Sequence, residues 1–121
     1  MEYVIIIIKI IIAASILNVW LFRFNKSTMW RGASAGNMKQ EFEAYGLPEW
    51  VMYVIGILKI SLSLALLASI YYPQLEEIAA FGLAILMLGA IGMHMKIGDP
   101  IKKSLPAIIF LTLSLIVALV P

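Results

Sequence analysis

Hydrophobic positions along this chain fall into four long runs, at residues 3–22, 50–71, 78–97 and 104–120, with short polar stretches between them. Each run is close to the ~20 residues that cross about 30 Å of hydrocarbon at 1.5 Å per residue. Backbone polar groups find no water inside a bilayer, so every run is predicted to be α-helical. That holds even for the isoleucine-rich opening, which in a soluble protein would suggest a strand.

The residues between the runs punctuate them. Gly46-Leu47-Pro48 ends one local element and starts the second span, and Tyr71-Tyr72-Pro73 places aromatic rings and a breaker at an interface. In Gly98-Asp99-Pro100, Gly98 suits the position just past a helix, Asp99 an N-cap and Pro100 a first helical residue. The third and fourth spans should therefore form a tight antiparallel hairpin. Pro106 then falls inside the fourth helix and should kink it, because it removes a backbone hydrogen bond. Residues 25–48 are polar and mixed, but Met38, Phe42 and Tyr45 recur on one helical face, and Lys39 and Glu43 form an i,i+4 pair beside it. This predicts a short amphipathic helix over about 34–46, which either lies on the membrane surface or folds over the bundle as a lid.

Composition sharpens this picture. The chain of 121 residues is 63% hydrophobic, with a mean hydropathy of +1.00, against about 45–50% apolar residues in soluble domains. A domain this small needs polar surface in water, so lipid must be its main solvent. The expected fold is an all-α membrane protein, a single domain over 1–121 built as a four-transmembrane-helix up-and-down bundle. No basic residue precedes the first run, which continues past Ala13-Ala14-Ser15. It is expected to be an uncleaved anchor rather than a signal peptide. There is no cysteine, which excludes disulfides and dithiol redox chemistry. No metal-ligand cluster or nucleotide loop is present, and nucleic acid is not an expected partner.

Charge sets an expected orientation. Arg23, Lys26, Arg31 and Lys39 lie in the first loop and Lys96, Lys102 and Lys103 in the third, whereas the second loop has no lysine or arginine. By the positive-inside bias, loops one and three should be cytoplasmic and both termini external, in a bacterial inner (plasma) membrane. Lys102 and Lys103 would occupy the first turn of a helix, where the macrodipole disfavours cations and anionic headgroups would compensate.

Ionisable groups inside the spans cost at least about 2.5–3.5 kcal/mol and need individual explanations. Lys9 is close enough to the outer boundary to snorkel there along its stem. Lys59 lies near the middle of the second span, with Gly56 and Ser63 on its face, and every carboxylate lies outside the four runs. It is a neutral lysine, a structural lysine bonded to backbone carbonyls with water, or the anchor of an anionic or quinonoid ligand. His94 and Asn18 lie about one turn below the cytoplasmic boundary and read either as packing residues or as parts of a site. Asn18, Arg31, Glu41, His94, Lys96 and Asp99 all fall at one end of the bundle, with Lys59 deeper below. They are predicted to surround a polar cavity that opens toward the cytoplasm, with Arg31 and Glu41 at its mouth.

Several segments carry a resemblance: Asn18-Val19-Trp20, Arg31-Gly32, Asn37-Met38-Lys39, Glu41-Phe42, Tyr45-Gly46-Leu47-Pro48, and Met93-His94-x-Lys96-x-Gly98-Asp99-Pro100-x-x-Lys103. From about residue 17 to 107 the chain resembles the DoxX-like family of small four-helix membrane proteins. The resemblance implies an up-and-down bundle and adds Asn37 and Tyr45 to the candidate cavity residues. Relatives include membrane subunits of thiosulfate:quinone oxidoreductase, members of membrane assemblies handling oxidative stress, and a distant animal chaperone for nicotinic receptors. Comparable bundles in vitamin K epoxide reductase-like and methylamine-pathway proteins carry redox cysteines, which this chain lacks.

Two functions are compatible with these features. One is a non-enzymatic accessory or assembly factor whose cavity binds lipid or a partner helix. Gly82/Gly89 and Gly56/Ser63 would then serve helix packing, and a homodimer or larger membrane complex is expected. The other is a subunit of a quinone-linked oxidoreductase. Lys59 and His94 would donate hydrogen bonds to the quinone carbonyls, and a partner subunit would carry the electrons.

Overall fold

A computed structural model of the chain describes residues 2–120. Five α-helices and no strand occur among these residues: α1 (Glu2–Leu17, continued by a π-helical turn, Asn18–Phe22), α2 (Met38–Ala44), α3 (Glu49–Ala68), α4 (Glu76–Lys96) and α5 (Leu105–Leu119). With their adjoining turns, four helical segments are long and apolar enough to cross a bilayer: Glu2–Phe22, Glu49–Ala68, Pro73–Lys96 and Ile101–Leu119. Their outward faces carry Ile7, Ile10, Ile57, Leu64, Ile78, Ile85 and Leu88, all exposed. Such a surface would be a liability in water and is the ordinary solvent contact in lipid. The chain is an integral membrane protein.

The spanning helices form a ring in which α1 packs on α3, α3 on α4, α4 on α5 and α5 on α1. The half of the ring away from α2 is closely packed through its middle, with a smaller cavity of about 250 Å³ at its end beside Lys9 and Glu76. There Ile12, Leu66, Leu83 and Val117 are fully buried, and Ala79 and Ala80 let α4 approach its neighbours closely. Glycine acts similarly at two points. A Cβ on Gly56 would come within 2.7 Å of the Trp20 ring, and one on Gly82 within 2.8 Å of Leu62. Gly89 was expected to share this packing role. Within this chain it does not, because a Cβ there would meet nothing within 4 Å among the described residues.

The α4–α5 hairpin differs from the expected design. Gly98 is the left-handed residue past α4, with φ +74°. The Gly98 N–H bonds to Met95 O at 3.1 Å and the Asp99 N–H to His94 O at 3.0 Å, the two bonds of a Schellman motif. Asp99 is therefore the last residue of that stop signal and not an N-cap. Pro100 is extended, with ψ 150°, and a 3-10 turn, Ile101–Ser104, precedes α5. This turn delays α5 enough that Pro106 occupies its first turn. A first-turn N–H has no partner within the helix, so the proline costs no bond and the expected kink has no cause.

Lys9 also departs from expectation. Its stem does run toward the expected outer end of the bundle, away from α2, but its ammonium is not left to solvent. It is 4% exposed, and its ammonium turns inward to Glu76, the first residue of α4, at 2.8 Å. A carboxylate within reach is a better partner than water at the end of a stretched stem.

Candidate functional site

The helix α2 is short, and its placement is set by its caps and its apolar face. The Asn37 side chain accepts the Gln40 N–H at 2.8 Å, the standard N-cap bond. At the other end Gly46, with φ +78°, makes a second Schellman stop, through Gly46 N–H to Glu43 O and Leu47 N–H to Phe42 O. Met38, Phe42 and Tyr45 are buried, so α2 folds over one end of the bundle as a lid. A series of rings runs beneath it: Phe24 and Trp20 at 6.0 Å, Trp20 and Phe42 at 6.1 Å, Phe42 and Tyr45 at 5.8 Å, and Tyr45 and His94 at 5.6 Å between centroids.

Arg31 fastens the first loop to this lid. It is 2% exposed. Its Nε donates to Lys26 O at 2.8 Å, Nη2 to Arg23 O at 2.6 Å and Nη1 to Glu41 Oε2 at 2.8 Å. The other Glu41 oxygen accepts the Gly32 N–H at 3.2 Å and the Tyr45 hydroxyl at 2.7 Å. Tyr45 Oη also lies 3.3 Å from His94 Nε2, and His94 Nδ1 lies 2.7 Å from Asp99 Oδ2. The Asp99 carboxylate accepts the Ala33 N–H at 3.0 Å. Ala33 has φ +51°, a left-handed conformation that costs a non-glycine residue energy and so needs such an anchor. A continuous chain, Arg31–Glu41–Tyr45–His94–Asp99, thus links loop, lid and α4.

Proton counting constrains this chain. Tyr45 has one hydroxyl proton to share between Glu41 and His94. The roles of the two His94 nitrogens, at 3.3 Å from Tyr45 Oη and 2.7 Å from Asp99 Oδ2, follow from the tautomer it adopts. Burial, then the charge and hydrogen bond of Glu41 and the charge of Asp99, push the Tyr45 phenol above its ordinary value, against a smaller pull from Arg31. Burial also raises the Asp99 carboxyl. The hydrogen bonds from His94 and Ala33, with the charges of His94 and Lys103, outweigh that and hold it below its ordinary value.

A cavity of about 1040 Å³ lies beneath the lid. Of the residues expected there, Asn18, Arg31, Glu41, Tyr45, Lys59 and His94 line it. Asn37 instead caps α2. Lys96 is exposed and reaches Tyr45 O at 3.1 Å. Asp99 acts on the site from behind, through His94. The remaining lining is largely apolar and includes Ile16, Val19, Val51, Ile55, Leu86, Ala90, Met93 and Phe110.

Lys59 sits at the midpoint of α3. Among the described residues neither a carbonyl nor a carboxylate accepts from it directly. Its Nζ stands 5.5 Å from the centroid of the Trp20 ring. A desolvated cation–π contact contributes about 2 kcal/mol, less than the minimum of about 2.5–3.5 kcal/mol for a charge at that depth. Glu41 makes no hydrogen bond to Lys59, and the Glu41 charge is already paired with Arg31 at 2.8 Å.

Two parts of the arrangement were not read from the sequence. Trp20 is the floor under Lys59, brought there by the π-helical turn, whose Arg23 N–H bonds to Asn18 O. The signal was Gly56, a gap in α3 large enough for an indole. Lys103 does not simply await headgroups. Its ammonium donates to Arg31 O at 2.6 Å and to Ala33 O. A cation in the first turn of a helix was a hint that some other acceptor would be found.

Comparison with known proteins places residues 11–117 on the model of the DoxX-like family. No curated protein and no solved structure matches the chain.

Proposed function

This chain belongs to the DoxX-like family, and on that premise we propose that it is a non-catalytic membrane accessory protein that holds one lipophilic molecule in the cavity beneath its lid. The observation that carries this reading is the Lys59 ammonium facing a largely apolar space of about 1040 Å³ with, among the described residues, only an indole face in contact with it. The volume is at the top of the ~300–1,000 Å³ range of small-molecule pockets. The lid is tied by side-chain bonds to the first loop and to α4, so the space is prepared before anything enters it. The test is extraction. Protein purified from native membranes should release a lipophile at about one per chain, and Ala90→Phe, which fills the cavity, should release less. Equal release from both forms would place any bound lipid on the outer surface.

The same reading orients the protein with its lid in the cytoplasm, where the basic loops favour it. Cysteines at Ser27 and Lys102, both exposed, should resist an impermeant thiol reagent in intact cells. One at Gln74 should react. The opposite labelling pattern would reverse the orientation.

A quinone-linked role is the second reading. The hydrogen-bonded chain from Glu41 to Asp99 favours it, because such a chain can move protons beside the cavity. Both nitrogens of His94 are engaged, at 3.3 Å and 2.7 Å. In this reading the histidine relays protons, and Lys59 alone would meet a quinone carbonyl. Quinone in the extract, lost in Lys59→Met, would favour it.

A further inference from the structure

We propose that the occupant of the cavity is a single-chain lipid carboxylic acid, with its head on Lys59 and its tail leaving the bundle between α3 and α4. This rests on the reading of the cavity as a lipophile site and specifies its chemistry.

The head follows from charge and depth. Lys59 lies at mid-membrane, about 15 Å below the start of α3 at 1.5 Å per residue. A phospholipid phosphate stays charged and stays at the interface. A carboxylic acid crosses hydrocarbon uncharged and ionises only where a base awaits it. With a neutral amine the step is a proton transfer: the O–H bond breaks, an N–H bond forms, and a carboxylate is left against the new ammonium. With an ammonium already present the carboxylate pairs directly. Either way the pair is neutral overall, which removes the cost of a lone charge in the bilayer. The Trp20 ring covers one side of the ammonium at 5.5 Å, leaving its N–H donors for the cavity.

The tail path follows from two glycines. In the antiparallel α3–α4 pair, Leu62 meets Gly82, with a Cβ distance of 2.8 Å. By that register Lys59 lies level with Ile85, three residues from each contact. The pair is shut at Gly82. About two turns along α4, Gly89 lines the cavity, is exposed, and has nothing within 4 Å of a Cβ. Ile85 also lines the cavity and is exposed. The space beside Lys59 therefore reaches the lipid face of the bundle at the level where a tail would leave it.

The probes are oleate and oleyl alcohol, identical except for the head, added to the full chain in maltoside micelles and counted as bound adducts by native mass spectrometry. Wild type should bind oleate at least about 10-fold more tightly than the alcohol, the ratio expected for one charge-assisted hydrogen bond. Lys59→Met should remove that preference and Lys59→Arg should keep it. Ala90→Phe should weaken both ligands. Equal binding of acid and alcohol in wild type, with both lost in Ala90→Phe, would overturn the carboxylate assignment and leave the lipophile site standing. Failure of wild type to bind either probe would overturn both readings. So would binding that is unchanged in Lys59→Met and Ala90→Phe. Helical circular dichroism equal to wild type would show that each variant is folded.

Discussion

The protein places two lysines in hydrocarbon and treats them differently. Lys9 is held by Glu76 at 2.8 Å beside a small cavity of about 250 Å³ at the end of the bundle away from the lid. Lys59 rests on an indole in the hollow half. The fold supplies the carboxylate in one case and leaves it out in the other. A buried charge that is completed internally is part of the architecture. One that is left incomplete beside a cavity marks the place where something from outside completes it.

The strongest way to break this contrast is to remove a partner from each lysine. Glu76→Gln strands the Lys9 ammonium and should lower stability by about 3 kcal/mol, the low end for breaking a buried pair, since Glu76 keeps some access to solvent. Lys59→Met, measured without added lipid, should be neutral or stabilising by ~1 kcal/mol, because it strands nothing. Thermal unfolding in detergent reads both. Equal losses would mean that Lys59 is as structural as Lys9.

The two glycine sites sharpen the same division of the bundle. Gly56→Ala pushes a methyl group against the Trp20 ring at 2.7 Å and should cost about 1–3 kcal/mol through overpacking. The same unfolding measurement should show a gain of about 0.5–1 kcal/mol for Gly89→Ala, where a methyl group meets nothing and the helix gains propensity. A loss at Gly89 would mean that its open side is covered by something.

Acid should loosen the lid end by a smaller amount. The Asp99 carboxyl is held below its unfolded value. Its contribution is therefore complete above the unfolded value of about 3.9 and disappears as pH falls through the lower folded value. Acidification below about pH 4 should cost ~1 kcal/mol, and Asp99→Asn should abolish that part of the pH dependence. An unchanged profile in Asp99→Asn would remove the His94–Asp99 contact from the account.

The four spans and the apolar face of the lid were legible in the sequence because hydropathy and helical periodicity are local. So was Gly98, whose left-handed role needs only its neighbours. The partners were not. Glu76 is far from Lys9 in sequence, and only the ring order of the helices brings them together. Asp99 carries a normal N-cap signal. The competing signal, a Schellman stop that returns residue 99 to residue 94, needs atomic geometry to be seen. Pro106 looked like a kink because the 3-10 turn before α5 leaves no pattern in hydropathy. The cavity end was legible as an excess of polar residues. The pairing of Lys59 with Trp20 was not, because it depends on one extra residue in a π-helical turn.

That Schellman stop ties His94 to Asp99 twice, by backbone N–H to carbonyl at 3.0 Å and by imidazole to carboxylate at 2.7 Å. The two links close a ring through the same six residues, and neither opens without straining the other. In solvent-exchange terms, the Asp99 amide should retain its hydrogen far longer than a connecting-segment amide usually does, and its protection should fall when His94 is replaced by glutamine. The turn between α4 and α5 would then behave kinetically as the last part of a helix, and any motion of that helix end would pass directly to the imidazole under the lid.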